Sequence, residues 1–206
     1  MWLRRVLATG LTVAIFIFMG SSSPSHAQSG THVYMLRGFM NVFSMGLDSL
    51  AQKLEEGGIR TSVANHFAWS SYAQDAIGKY KSGKVRSIII IGHSLGGGAA
   101  LSMAEQLREA KVPVSLVITL DPVGTPQAPA NVRRLINLYV SNGMGSKVER
   151  SSKFRGSLVN SDQKDKPDIG HVSITTAFQR KLLGYVRSAA TSSRPRNASV
   201  PETTTQ

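Results

Sequence analysis

Five consecutive residues carry the clearest chemistry in this sequence: Gly92-His93-Ser94-Leu95-Gly96, of the form G-x-S-x-G. A serine hydroxyl is a weak nucleophile, and it becomes useful only beside a base that is itself held by a third group. The pattern fixes three positions, so its setting decides its meaning. It follows residues 85–91, which contain four consecutive isoleucines, and leads into a stretch rich in small residues, Gly97 to Ala100. Strand, sharp turn and helix are the context the motif requires. Such a turn lifts the hydroxyl clear of the sheet and brings residues two before and two after the serine together, hence Gly92 and Gly96. Gly97, Gly98, Ala99 and Ala100 extend the smallness and let the helix approach the sheet. The helix start adds free N–H groups and a positive dipole end beside Ser94. This is equipment for attack on an acyl carbonyl.

Gly-His-Ser-Leu-Gly-Gly at residues 92–97, behind a four-isoleucine strand, resembles the elbow of the α/β-hydrolase superfamily, and within it lipases and esterases with the same hexapeptide. In order of elements the resemblance covers residues 31–186; its motif is strong only at the elbow. It implies a chain order of serine, acid, histidine. Of five histidines, His26, His32, His66 and His93 precede Ser94, and His171 alone follows it, in a loop before the last helical stretch. His171 is thus the expected base. Asp121 is the preferred acid, because it ends the strand after the nucleophile helix, and sites on parallel sheets form at those strand ends. Asp162, Asp165 and Asp168, near His171, are the rivals. The resemblance further implies an oxyanion hole from the backbone N–H of Leu95 and of Phe39 or Met40. Arg37 stands where many lipases carry histidine before the glycine, so the geometry of that loop departs from the pattern.

The elements that position these groups alternate. Residues 31–37 read as a strand. Leu47, Leu50, Ala51 and Leu54 recur at helical spacing and Gly57-Gly58 closes that helix. Residues 59–64 form a second strand, and Trp69 to Tyr80 carry another 3.6-residue stripe. Residues 85–91, with their four consecutive isoleucines, suit a central parallel strand buried on both faces, and 114–120 and 135–140 read as further strands. A closing helix spans 172–186, with Ile174, Phe178, Leu182 and Tyr185 on one side. The expected fold is α/β: a single-domain, open, mostly parallel sheet with helices on both faces and no large cap. Residues 141–170 show no clear element and read as a connector, a short lid, or a head-group site using Lys147, Arg150, Lys153 and Arg155. Phe39, Met40, Val42, Phe43 and Met45 make an apolar stretch that lines an acyl pocket or belongs to the core.

Composition sets the outer limits. Hydrophobic residues are 41% and charged residues 17% of 206, which is globular. There is no cysteine, so disulfides and thiolate metal sites are excluded, and no His/Asp/Glu set has ligand spacing; neither a metal nor another cofactor is expected. Residues 1–27 read as a signal peptide: Arg4 and Arg5, an apolar run over 6–20, then Ser25-His26-Ala27. The expected product is periplasmic or secreted, with a hydrolase domain at 28–187 and a disordered tail at 188–206. The formal charge of +12 is spread among scattered lysines and arginines without interleaved aromatics, which argues against nucleic acid and for contact with an anionic membrane or envelope surface. The expected activity is hydrolysis of a carboxylic ester on a small-molecule or lipid acyl substrate. Thioester hydrolysis and acyl transfer need the same residues, and a catalytically silent binding protein of the envelope is the reading from another class.

Overall fold

A computed structural model describes residues 30–39 and 45–192. Six parallel strands form one sheet in the order β2-β1-β3-β4-β6-β8. They are β1 (Thr31–Arg37), β2 (Arg60–Asn65), β3 (Ser87–His93), β4 (Leu116–Leu120), β6 (Arg134–Tyr139) and β8 (Ser157–Asp162); β5 (Gln127–Ala128) and β7 (Glu149–Arg150) pair separately. The helices are α1 (Met45–Glu56), α2 (Trp69–Lys81), α3 (Leu95–Glu109), α4 (Ile174–Ala177) and α5 (Gln179–Thr191).

The period-2 geometry of a strand explains the two cores. Ile88 and Ile90 of β3 face one side, with Leu36, Ala73, Ala76, Met103 and Leu107; that layer is roofed by α2 and α3. Ile89 and Ile91 face the other, with Val33, Leu47, Leu54, Ile174 and Leu182; that layer is roofed by α1, α4 and α5. All four isoleucines are fully buried, as a central parallel strand demands. The expected α/β architecture is the one found. Chain direction across the sheet reverses after β1: β2 lies on one side of it and β3 on the other. Crevices form outside the carboxyl ends of strands at such a switch point.

Two expectations are corrected. Residues 141–170 are not without structure: β8 adds to β6 in register, Leu135 opposite Leu158 and Asn137 opposite Asn160. An edge strand has one neighbour and needs no continuous apolar run, and Ser-Leu-Val-Asn-Ser-Asp has none. What holds it is a row of polar side chains. Thr119 Oγ1 donates to Asn137 Oδ1 (2.8 Å), and Asn137 Nδ2 donates to Asn160 Oδ1 (2.8 Å) and to the Ser146 carbonyl (3.0 Å). Asn160 in turn takes the Val148 N–H and gives to its carbonyl. The closing helix is also divided: it begins at Ile174, not 172, and breaks at Phe178. Its buried stripe is Ile174, Phe178, Leu182 and Val186, one residue beyond Tyr185. α5 continues to Thr191, past the boundary drawn at 187, while the rest of the expected tail and the expected signal peptide lie outside the described residues.

Candidate active site

Ser94 sits between β3 and α3 with φ 59° and ψ −124°. A side-chain-bearing residue rarely holds a positive φ, and such strain persists only where surroundings over-determine it. They do. A Cβ on Gly92 would collide with the Gly96 carbonyl, and one on Gly96 with the Leu36 carbonyl at the end of β1. A Cβ on Gly97 would lie 2.7 Å from that of Pro122. The Ser94 N–H extends the parallel ladder to the Leu120 carbonyl (2.9 Å).

One strand further, Asp121 repeats the device. Its N–H reaches the Leu138 carbonyl (2.7 Å) at a φ of 48°, which turns the carboxylate back over the strand ends. The side chain is fully buried. Oδ1 accepts the Val140 N–H at 2.7 Å, and Oδ2 accepts from His171 Nδ1 at 2.6 Å. Because Nδ1 carries the proton to a carboxylate, the neutral ring offers Nε2 as acceptor to the Ser94 hydroxyl, 3.0 Å away. Ser94, His171 and Asp121 therefore form one hydrogen-bonded chain. The rival acids stand elsewhere. Asp162 is held by the Ser141 hydroxyl and by the N–H groups of Ser141 and Lys164, which keep its carboxyl below the usual range. Neither Asp165 nor Asp168 has a side-chain bond to His171, whose carboxylate partner is Asp121.

His171 is aimed by its loop. Gly170 N–H donates to Ser173 Oγ (2.9 Å), and that hydroxyl donates to the Asp168 carbonyl (3.0 Å). The His171 carbonyl accepts from His93 Nε2 at 2.8 Å. His93 is buried, and burial lowers its pKa to about 4, so the ring is neutral at physiological pH. In the sequence, His93 reads merely as a residue inside the elbow. Its signal was legible: two residues beyond Ile91, it shares the face roofed by the last helix, from whose entry loop His171 comes. Gly145 gave no signal, yet a Cβ there would collide with Asp121 Oδ1.

Leu95 opens α3, where the first N–H groups lack intrahelical acceptors. Gly38 follows β1 closely enough that a Cβ would lie 2.8 Å from that of Ser94, and Phe39 comes next. Met40, Val42 and Phe43 lie outside the described residues. Arg37 pairs through both Nε and Nη2 with Asp48 of α1, tying the end of β1 to the first helix. Of the seven large apolar side chains exposed among the described residues, six lie on the strand-end side of the sheet: Phe39, Met45, Phe67, Leu95, Met144 and Val172. Met45 is thus not core. A groove of about 810 Å³ runs along the outer flank of α3, lined by Trp69, Ser102, Gln106 and Pro129, but neither Ser94 nor His171 borders it.

The model of the PGAP1-like alpha/beta domain family matches residues 62–193. The chain belongs to that family. Among solved structures, it is similar to Est1E from Butyrivibrio proteoclasticus, with a TM-score of 0.55 at 12% identity over 82% of this chain and 91% of that one. Human thioesterase 2 gives 0.52 at 11% identity, over 81% and 99%. Likeness at these identities establishes the shared α/β-hydrolase fold of this family member. No curated protein matches the chain. No described helix is long and apolar enough to cross a membrane.

Proposed function

We propose that the protein is a serine hydrolase that cleaves carboxylic esters bearing an apolar acyl group, through an acyl-enzyme on Ser94. The observation that carries this reading is the unbroken chain Ser94–His171–Asp121, with the hydroxyl held on a strained elbow. In it, Ser94 attacks the acyl carbonyl while His171 Nε2 takes the hydroxyl proton. Asp121 keeps the proton on Nδ1 and stabilises the imidazolium that forms. The N–H of Leu95 and that of Phe39 or Met40 receive the developing oxyanion. His171 returns its proton to the leaving alkoxide, and water, activated by the same ring, releases the acid. The apolar side chains left exposed at this end favour an aliphatic or aromatic acyl chain over a charged one. Export rests on the sequence of residues 1–27 and is tested by the N-terminal sequence of the protein recovered outside the cytoplasm.

The deciding experiment uses a fluorophosphonate probe with p-nitrophenyl esters and a matched thioester of short and long acyl chain. Ser94→Ala should lose labelling and about 10⁴–10⁶ of the turnover rate, and Asp121→Asn about 10³–10⁴. Labelling that persists in Ser94→Ala would sink the reading. Near-normal turnover in Asp121→Asn would pass the acid role to the residues near His171. A strong preference for the thioester would make the protein a thioesterase.

A further inference from the structure

Three arginines distant in sequence meet at the end of the sheet opposite Ser94. Arg86 leads into β3, Arg133 into β6 and Arg155 towards β8, and all three line one cleft of about 460 Å³. No aspartate or glutamate lines it. Among the described residues, the side chains of Arg86 and Arg133 make no hydrogen bond or ion pair. Arg155 spends Nη1 on the carbonyls of Ser152 (2.8 Å) and Phe154 (3.2 Å), which fixes its direction and leaves the rest of its fork free. A neutral donor joins them: Ser87 donates to Ser115 Oγ at 2.9 Å, so the Ser115 hydroxyl keeps its own proton for the cleft. Asn131 forms part of the wall, both amide hydrogens fixed to the carbonyls of Ala104 and Val112 (2.9 Å each).

Basic residues gather at this end for an ordinary reason as well. α1, α2 and α3 finish here, and cations favour helix C-termini. That accounts for Lys53, Lys79, Lys81 and Arg108, each in a last helical turn. It does not account for Arg86, Arg133 and Arg155, which lie on strand-entry segments outside any helix. Like charges sharing one cleft repel each other, and a bound anion turns that repulsion into attraction. The planar guanidinium fork matches two oxygens of a phosphate at once, which an ammonium cannot do.

We propose that this cleft binds a phosphate group, carried by an anionic lipid head group or free in solution. It stands on residues remote from the triad, so it holds or fails independently of the hydrolase reading. A protein anchored there would present Ser94 away from the phosphate-bearing surface, because the two sites occupy opposite ends of the sheet.

The test has two arms on the purified protein: calorimetric titration with inorganic phosphate, and co-sedimentation with vesicles of phosphatidylcholine with and without phosphatidylglycerol. Vesicle binding that requires phosphatidylglycerol identifies a head group, and phosphate binding without it identifies the free ion. Arg86→Gln/Arg133→Gln should weaken whichever binding is seen by about tenfold or more. Lys164→Gln/Arg180→Gln removes the same charge elsewhere and should change it by less than about twofold. The charge reversal Arg133→Glu, at an exposed side chain without hydrogen bonds among the described residues, should act in the same direction as the first pair even if that pair folds poorly. Equal loss in both pairs would reduce the effect to net charge and overturn the site. So would a wild-type protein that binds neither phosphate nor phosphatidylglycerol vesicles.

Discussion

The elbow at residues 92–97 and the segment at 141–162 meet at the same carboxylate, yet they are built from opposite materials. The elbow is fixed by exclusion: glycines pressed so closely onto the Gly96 and Leu36 carbonyls and onto Pro122 that no side chain fits. The later segment is fixed by polar attachment. The row Thr119–Asn137–Asn160 crosses three neighbouring strands, and Asn137 grips the Ser146 carbonyl while the Ser146 N–H donates to that of Pro122 (2.8 Å). The result is that Gly145 lies flat against Asp121. Close packing thus sets Ser94, while hydrogen bonds set the backing of Asp121.

The sharpest way to break this contrast is Gly145→Ala. The segment has two elbow-like contacts, Gly156 against the Val132 carbonyl and Gly145 against the carboxylate, and a methyl added at Gly145 would collide with Asp121 Oδ1. On the proposed mechanism, turnover should fall on the order of 10³-fold, approaching the loss of the acid itself, with KM little changed. Steady-state kinetics beside circular dichroism checks it. Unaltered turnover would show that the segment yields easily and that Asp121 does not depend on it.

The next effect is on stability. His93 is neutral in the fold because burial, more than any partner, lowers its pKa to about 4; His32 is lowered likewise, again chiefly by burial and then by Lys79. The unfolded chain binds these protons near pH 6.5 and the folded chain only near pH 4. The contribution of these two groups is therefore constant above about pH 6.5 and is lost as pH drops towards 4, where their loss ends. His93 alone should account for about 3 kcal/mol. Urea unfolding between pH 7 and 4 measures it, and His93→Gln, which keeps a donor for the His171 carbonyl, should flatten much of the slope. A slope unchanged in that variant would refute the assignment.

The polar half of the contrast is tested by Asn160→Ala. It removes the acceptor for Asn137 and Val148 and the donor to Val148, and should cost about 1–3 kcal/mol, since buried groups lose partners. The elbow is untouched, so Ser94 should still label with a fluorophosphonate at a rate within about threefold of wild type. A collapse of labelling would mean that the two regions are one cooperative unit.

What could be read from sequence follows the same division. Continuous apolar runs and helical stripes announce β1, β3, β4, α1 and α2, because burial on two faces or one leaves a period in the residues. Glycine spacing announces the elbow. The elbow motif points to Ser94, the chain order implied by the resemblance leaves His171 alone among the histidines, and the strand-end position favours Asp121 over Asp162, Asp165 and Asp168; the structure brings Ser94, His171 and Asp121 into contact. β8 escaped because an edge strand held by asparagines has no hydrophobic period. The Arg86–Arg133–Arg155 cleft escaped because sequence distance hides convergence at strand entries, so the bases looked scattered. Gly145 escaped because nothing near it distinguishes a glycine pressed on a carboxylate from one in a plain turn.

The smallest effect separates neighbours inside the elbow helix. The sequence invites one explanation for Gly97 and Gly98, a smooth face that lets α3 approach the sheet. The structure divides them: Gly97 abuts Pro122, whereas a Cβ on Gly98 meets nothing within 4 Å and faces the groove on the flank of α3. Glycine in a helix interior costs roughly 0.5–1 kcal/mol relative to alanine, chiefly through the freedom it loses on folding. Gly98→Ala should therefore raise stability by about that amount and leave Ser94 labelling unchanged, whereas Gly97→Ala should lower it. Thermal unfolding of the two variants beside wild type decides the matter. Destabilisation by Gly98→Ala would mean that the whole glycine run is packed, and that exclusion rules one turn further from Ser94 than the contacts place it.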